Sequence, residues 1–333
     1  MRRLIRSAIQ LPFFTLPDVA DDQLFEHTAA VAASAEASGF DAVFVMDHFF
    51  QLPFLGGPTE PMLEGYSLLS ALAARTSRVR LGTLVTGVTY RNPALLAKTL
   101  TTLDVISGGR AVAGLGAAWY EEEHAAFGYD FPSIPDRFDL LADTVEILGS
   151  MFGGDGTHQG RFASVTGAHN VPAPITPGGP PILIGGAGER RTLPFAARVA
   201  AASNFNCTID EAPARLALLG SLLDTEGRTR DSINVTLLCS VVCATDDAAA
   251  EAKLRGLVAR RGMDPAALDD PAVRGMMMSR MMVGGIESVA ERMASICGPD
   301  GLDGIVAMLP ADASDTDGPA LAAQAFRAAG LMD

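Results

Sequence analysis

Residues 38–49 read SGFDAVFVMDHF. A helix-stopping glycine leads into five successive apolar residues, Ala42 to Met46, and the run ends in an acid and a histidine. Polar and apolar residues do not alternate, which is how a strand covered on both faces looks. Seven other runs share that character: SAIQL, VRLGTLVTG, RAVAGLGA, PPILIGG, VAAASNF, NVTLLCSVVC and DGIVAML. Between them lie helical patterns. Residues 23–39 have apolar spacing and a glycine stop, and PALLAKTLTTLDVISGG offers Asn92 as N-cap, Pro93 at the first helical position and Gly108 and Gly109 past its end. In DRFDLLADTVEILGSMF, Phe138, Leu141, Val145 and Leu148 share one face, and ESVAERMASICG gives a late helix before the eighth run. Eight strands alternating with helices predict an α/β fold, a (β/α)8 TIM barrel, as a single domain over residues 1–333. Such a barrel takes about 250 residues, so roughly 80 remain for insertions. The Pro/Gly-rich stretch 153–181 and residues 246–283 are the candidates.

Composition narrows the function. The 333 residues are 48% hydrophobic and 19% charged, which suits a compact protein, and a net charge of −14 leaves no basic surface for nucleic acid. The four cysteines have no paired ligand spacing and read as reduced thiols. His27, His124, His158 and His169 show neither HxH nor HExxH, so no metal site is expected. The opening MRRLIRSAIQLPFF is interrupted by Arg6 and Gln10 and reads as a first strand rather than a leader. No apolar run reaches the ~18 residues of a membrane span, and the expected location is the cytoplasm.

In a barrel, reacting groups sit where strands end and the following loops begin. Asp47 and His48 occupy that place on the second strand, although a capping acid beside a half-exposed histidine would look the same. Gly82 and Gly87 on the third strand indicate a bulge or close approach of a ligand. On the fourth, Gly114, Gly116, Ala117 and Ala118 precede Trp119, the chain's only tryptophan, and fit either tight packing or a ligand site. After the fifth, GGAGERR opens a helix and could seat a phosphate. Glu121, Glu122 and Glu123 read as a solvated first helical turn. The methionine-rich MMMSRMM at 276–282 reads as soft core, or an adaptable apolar site.

Together, DHF, GTLVTGVTYRNPALLAKTLTTLDVISGGR, GLGAAWYEEEH, GYDFPSIPDRFDLL and PPILIGGAGERR resemble the bacterial luciferase-like superfamily, in its branch that uses the deazaflavin coenzyme F-420. The resemblance covers residue 8 to about 205 and resumes at VGGIESVAERM. It implies that His48 donates or accepts a proton at the ring system, or faces its developing charge, and that Asp47 orients the deazaflavin or the imidazole. It implies a non-proline cis peptide at Leu84–Val85, with Thr86, under one face of the ring, and a cofactor cradle that includes Gly114, Gly116 and Ala117. The phosphate loop would be Gly185, Gly186, Ala187, Gly188, Glu189 and Arg190, and the substrate pocket would hold Phe49 and Trp119.

The departures matter too. Trp119 stands where the branch's sugar-phosphate dehydrogenases carry a glutamate, Leu52 replaces their tryptophan, and their phosphate-holding lysines have no evident equivalents. An apolar or carbonyl-bearing substrate suits these residues better. The resemblance therefore implies an F-420-dependent oxidoreductase. The alternatives are a two-component monooxygenase fed with reduced FMN by a separate reductase, and a non-catalytic flavin-binding barrel. Relatives pair through helices near 60–75 and 93–106, which implies a homodimer.

Overall fold

The computed structural model describes residues 4–16 and 19–333. The eight runs become strands β1 (Ser7–Leu11), β2 (Ala42–Val45), β3 (Arg80–Thr83), β4 (Ala111–Gly116), β5 (Ile182–Gly185), β6 (Ala202–Phe205), β7 (Asn234–Ala244) and β8 (Gly304–Met308). Each pairs in parallel with the next, and β8 pairs with β1, so the sheet closes on itself. This is the predicted (β/α)8 barrel.

Two apolar layers hold it. Residues of β1, β2, β4, β5, β6 and β8, among them Ala8, Phe44, Val112, Leu183, Ala202 and Val306, form one buried cluster. Side chains from strands on opposite sides of a ring meet only across its lumen, so this cluster is the barrel's filling. The intervening positions, such as Ile9, Val43, Val45, Leu81, Val235 and Ile305, join the helices in a larger cluster. That is the two-residue alternation of a pleated strand.

The helices begin and end where local chemistry allows. After α1 (Leu24–Ser38) and α2 (Gly65–Arg75), helix α3 spans Pro93–Ser107. Asn92 accepts hydrogen bonds from the Ala94 and Leu95 amides at its start, and Gly108 ends it at φ 68°. A short α4 (Glu121–Phe127) precedes α5 (Ile134–Gly153), which buries Leu141, Val145 and Leu148.

Residues 153–181 carry a small hairpin that pairs His158–Gln159 with Ser164–Val165. Residues 246–283 contain two helices and lead into a strand absent from the sequence reading, Met281–Gly285, which pairs with Ser240–Ala244 of β7. At 11 residues β7 outruns its barrel neighbours, and its free end accepts this extra strand. The methionine run is accordingly divided: Met281 and Met282 lie in the strand, Met277 and Met278 pack beside Val242 and Leu254, and Met276 is 71% exposed.

Candidate active site

The site begins with the break in β3. After Thr83 the chain turns through a cis peptide at Leu84–Val85, and Thr86–Gly87 then rejoin β4 beside Leu115 and Gly116. Hydroxyl groups fasten the bulge. Thr83 Oγ1 donates to the Gly114 carbonyl, which leaves it to accept from Thr86, and Thr86 in turn accepts from Tyr66; both hydroxyl contacts are 2.6 Å. Gln10 Nε2 donates to the Leu84 carbonyl at 2.8 Å.

The strand-end glycines make room for this bulge. A Cβ on Gly114 would lie 1.9 Å from the Thr83 carbonyl oxygen, and one on Gly116 or Gly185 would lie 2.6 Å from a Val85 methyl. Val85 therefore leans over the ends of β4 and β5. Of the two readings of Gly114, tight packing is the one the geometry supports, since Gly114 is buried and does not line the cavity.

At the end of β2 two carboxylates divide the work. Asp47 is 2% exposed; its Oδ2 accepts from the Gly87 amide and from Arg91, which also reaches Glu64. Burial raises the Asp47 pKa, against the opposing pull of Arg91. Asp47 thus ties β2 to the bulge.

The imidazole is oriented by another residue, Glu123, and here the structure overturns the solvated-helix expectation. Glu123 is fully buried; Oε2 meets His48 Nδ1 at 2.9 Å and accepts from the Tyr90 hydroxyl, and Oε1 accepts from the Phe49 and Phe50 amides at 2.6 and 3.2 Å. Burial alone would raise its pKa, but these donors outweigh it and the net direction is down. An ionised Glu123 has only acceptors to offer, so Nδ1 carries the proton. The other nitrogen, Nε2, has no hydrogen-bond partner among the described residues, and His48 lines the cavity. Burial and the bond to Glu123 raise the Tyr90 pKa, so Tyr90 remains a donor. Next in line, burial depresses the His124 pKa; its Nδ1 faces the Tyr120 carbonyl and its Nε2 faces Thr89.

The sequence did hold a signal for Glu123. Tyr120, Glu123 and His124, spaced i, i+3, i+4, are all buried, whereas Glu121 and Glu122 are exposed.

The cavity at this mouth has a volume of about 770 Å³. Asp47, His48, Leu84, Val85, Thr86, Gly116, Ala117, Trp119, Gly185 and Gly186 line it, so groups from four strand ends converge. Phe49 does not. Held by its amide on Glu123, it turns away from the cavity into a cluster with Tyr90, Phe127 and Tyr129. Ala187, Gly188, Glu189 and Arg190 also lie outside the lining, and Glu189 pairs with Arg215. The turn after β5 reaches the cavity through Gly185, Gly186 and Thr192, the first residue of α6 (Thr192–Val199). Asn204, Asn206 and Arg280 add polar groups to the lining; Arg280 is the only Arg or Lys among the described lining residues.

Residues 6–299 match the family of luciferase-like monooxygenases. An F-420-dependent glucose-6-phosphate dehydrogenase of Microbacterium testaceum is 32% identical over 228 residues, 66% of this chain and 65% of that protein. One from Nocardia farcinica is 34% identical over 184 residues, 54% of this chain and 52% of that protein. The chain thus spans less than two thirds of the length of these relatives. In fold it is similar to a monooxygenase from Streptomyces bottropensis, with TM-score 0.79, 23% identity and coverage of 97% of this chain and 99% of that one. It is similar likewise to the coenzyme F-420-dependent tetrahydromethanopterin reductase of Methanopyrus kandleri, with TM-score 0.72, 19% identity and coverage of 94% and 97%. With its barrel closed, its β3 bulge in place and nearly its whole length matched, the chain belongs to the luciferase-like monooxygenase family.

Proposed function

We propose that this protein is a coenzyme F-420-dependent oxidoreductase acting on a small, uncharged alcohol or carbonyl compound at the C-terminal mouth of its barrel. The observation that carries the reading is His48, which lines the cavity with Nδ1 held by the buried Glu123 and Nε2 without a hydrogen-bond partner among the described residues.

The mouth fits a planar, amphipathic cofactor. The lining mixes apolar groups, Leu84, Val85, Ile184, Leu238 and Met308, with polar ones, Thr192, Asn204, Asn206 and Arg280. The apolar groups would hold the ring system, and Gly185, Gly186 and Thr192 with Arg280 would hold a phosphate. When bound, a deazaflavin supplies a carbon that carries a hydride.

His48 supplies the proton. Nε2 takes it from a substrate hydroxyl in the oxidising direction, or an imidazolium returns it to a carbonyl oxygen in the reducing one. Glu123 keeps its charge throughout and fixes the tautomer. Asp47 and Arg91 hold the bulge against which the substrate and ring are aligned.

The relatives named as glucose-6-phosphate dehydrogenases support the cofactor. Their sugar phosphate suits this cavity less, because a phosphate's two negative charges call for several cations and only Arg280 lies in the described lining, among the groups assigned to the cofactor. The deciding experiment is to titrate the purified protein separately with oxidised F-420 and with FMN. Tighter binding of F-420 supports the proposal; tighter binding of FMN would replace it with the reduced-flavin monooxygenase.

A further inference from the structure

The proton relay leaves one large group at the mouth without a task. Trp119 lines the cavity, yet it is 58% exposed. One indole face stacks on Tyr120, with ring centroids 5.0 Å apart and planes 16° apart. Tyr120 is itself only 5% exposed and packs with Met46 and Leu52, so the support is rigid. Among the described residues no second ring stacks on the opposite indole face. The His48 ring stands edge-on to the indole, at 5.9 Å and 75°.

The backbone before it is unusual. Ala118 has φ 58°, and it is the one non-glycine residue with positive φ among those described. Few residues with a Cβ take that conformation unless their surroundings impose it. Here Arg137, 7% exposed and lying 3.9 Å over the Phe131 ring, donates to the Ala118 carbonyl at 3.0 Å. The turn that brings the indole beside His48 is thus anchored in buried structure.

From this geometry we propose that Trp119 is a stacking platform that selects planar, uncharged substrates. These are aryl ketones, conjugated enones or the matching alcohols, whose oxygen it sets beside His48. The chemistry rests on the function proposed above, but the binding does not. A rigid indole with one face covered and no ring stacked on the other favours a flat π-system over a puckered ring of equal size, because offset stacking adds attraction beyond the area buried. Leu52, Phe54 and Leu55, which line the same cavity, offer no charge to a polar sugar.

The chain's single tryptophan makes the test direct. In ¹⁵N-labelled protein one indole N–H cross-peak reports on this residue alone. Benzylideneacetone and its saturated cyclohexyl analogue would each be titrated into the free protein and into protein held in excess oxidised F-420.

Benzylideneacetone is expected to shift the peak saturably and to bind about fivefold more tightly than the saturated analogue. Trp119→Leu should weaken its binding about three- to tenfold, and Trp119→Phe should restore most of the loss. An unmoved indole signal, or equal affinity for the two ketones, would overturn the proposal. So would a shift produced by F-420 alone and unchanged by added ketone, which would put the cofactor's own ring on the indole. Failure of F-420 to bind while the planar ketone still stacks would remove the proposed redox chemistry and leave the platform standing.

Discussion

The barrel has a cavity of similar volume at each end, and the two differ in how their polar side chains are bonded. The cavity at the N-terminal ends of the strands measures about 860 Å³ and is lined by Arg78, Arg80, Arg110 and Arg230 together with Glu36, Asp41, Asp231 and Asp303. Three of those arginines are occupied by the protein itself. Arg110 donates all five of its N–H groups, to Ala73, Thr76, Val79 and Ser107. Arg230 bonds Ile233, Gly301 and Asp303, and Arg78 bonds the Glu36 carbonyl. The cavity at the other end is lined by His48, whose Nε2 has no hydrogen-bond partner among the described residues, and by Trp119, which is 58% exposed. Volume does not distinguish the two ends; the share of their polar side chains already bonded to the protein does, with Arg80 the exception at the N-terminal end.

The largest expected effect is at the mouth. His48→Ala should lower turnover about 10²–10⁴-fold, the usual range for a lost proton-transfer group. Glu123 keeps three of its four donors, so the stability loss should stay near 1–3 kcal/mol. The measurement is turnover per folded molecule with reduced F-420 and a carbonyl substrate found by screening, alongside a thermal melt. Full activity in a folded variant would remove His48 from the mechanism and erase the contrast between the two ends.

The converse experiment is Arg110→Met at the N-terminal end. It orphans the carbonyls of Ala73, Thr76 and Val79 where α2 turns into β3, and should cost about 2–4 kcal/mol. Turnover per folded molecule should not change. A variant that melts normally but turns over slowly would mean that this end takes part in function after all.

Glu123→Gln should have a smaller effect than either. The amide keeps the volume but places N–H groups among donors, so His48 loses its fixed orientation. Turnover should fall about 10–100-fold with substrate affinity little changed. Equal losses in affinity and turnover would assign Glu123 to the shape of the pocket instead.

How much of this was legible in the sequence differs between the two ends in the same way. All eight strands announced themselves, because parallel strands covered on both faces read as unbroken apolar runs, and Gly82 and Gly87, with the family resemblance, pointed to the bulge. Glu123 was missed because three consecutive acids at a helix start usually face water. Only the spacing from Tyr120 and His124 separates the inward one from its neighbours. Phe49 was misplaced because strand alternation stops at Val45; beyond that point side-chain direction follows the hydrogen bonds of the loop, which the sequence does not display. The strand Met281–Gly285 was hidden because it pairs only with the overhanging end of β7.

The smallest expected effect compares two glutamates directly. Glu36, on α1, does for the N-terminal end part of what Glu123 does at the mouth: its carboxylate accepts from the Ser77, Arg78 and Val79 amides at 2.9, 2.6 and 3.0 Å. Burial opposes the charge, but these bonds prevail and bring the pKa down from 4.5 to about 2. A carboxylate whose pKa falls on folding stabilises the protein fully above its unfolded value. That contribution is lost as the pH drops from about 4.5 toward 2. Because Glu36 is partly exposed, solvent screening reduces it to about 1–2 kcal/mol. At pH 7, Glu36→Gln should therefore melt a few degrees lower than the unaltered protein, and the gap should narrow below about pH 4.5 and close as the pH approaches 2. No reactive group hangs on this carboxylate, so turnover per folded molecule should be unaffected, in contrast to Glu123→Gln. A gap that stays constant with pH would show that the cost comes from geometry rather than charge. A loss of turnover would show that the segment Ser77–Val79 transmits its strain along β3 to the bulge, and that the two ends of the barrel are coupled.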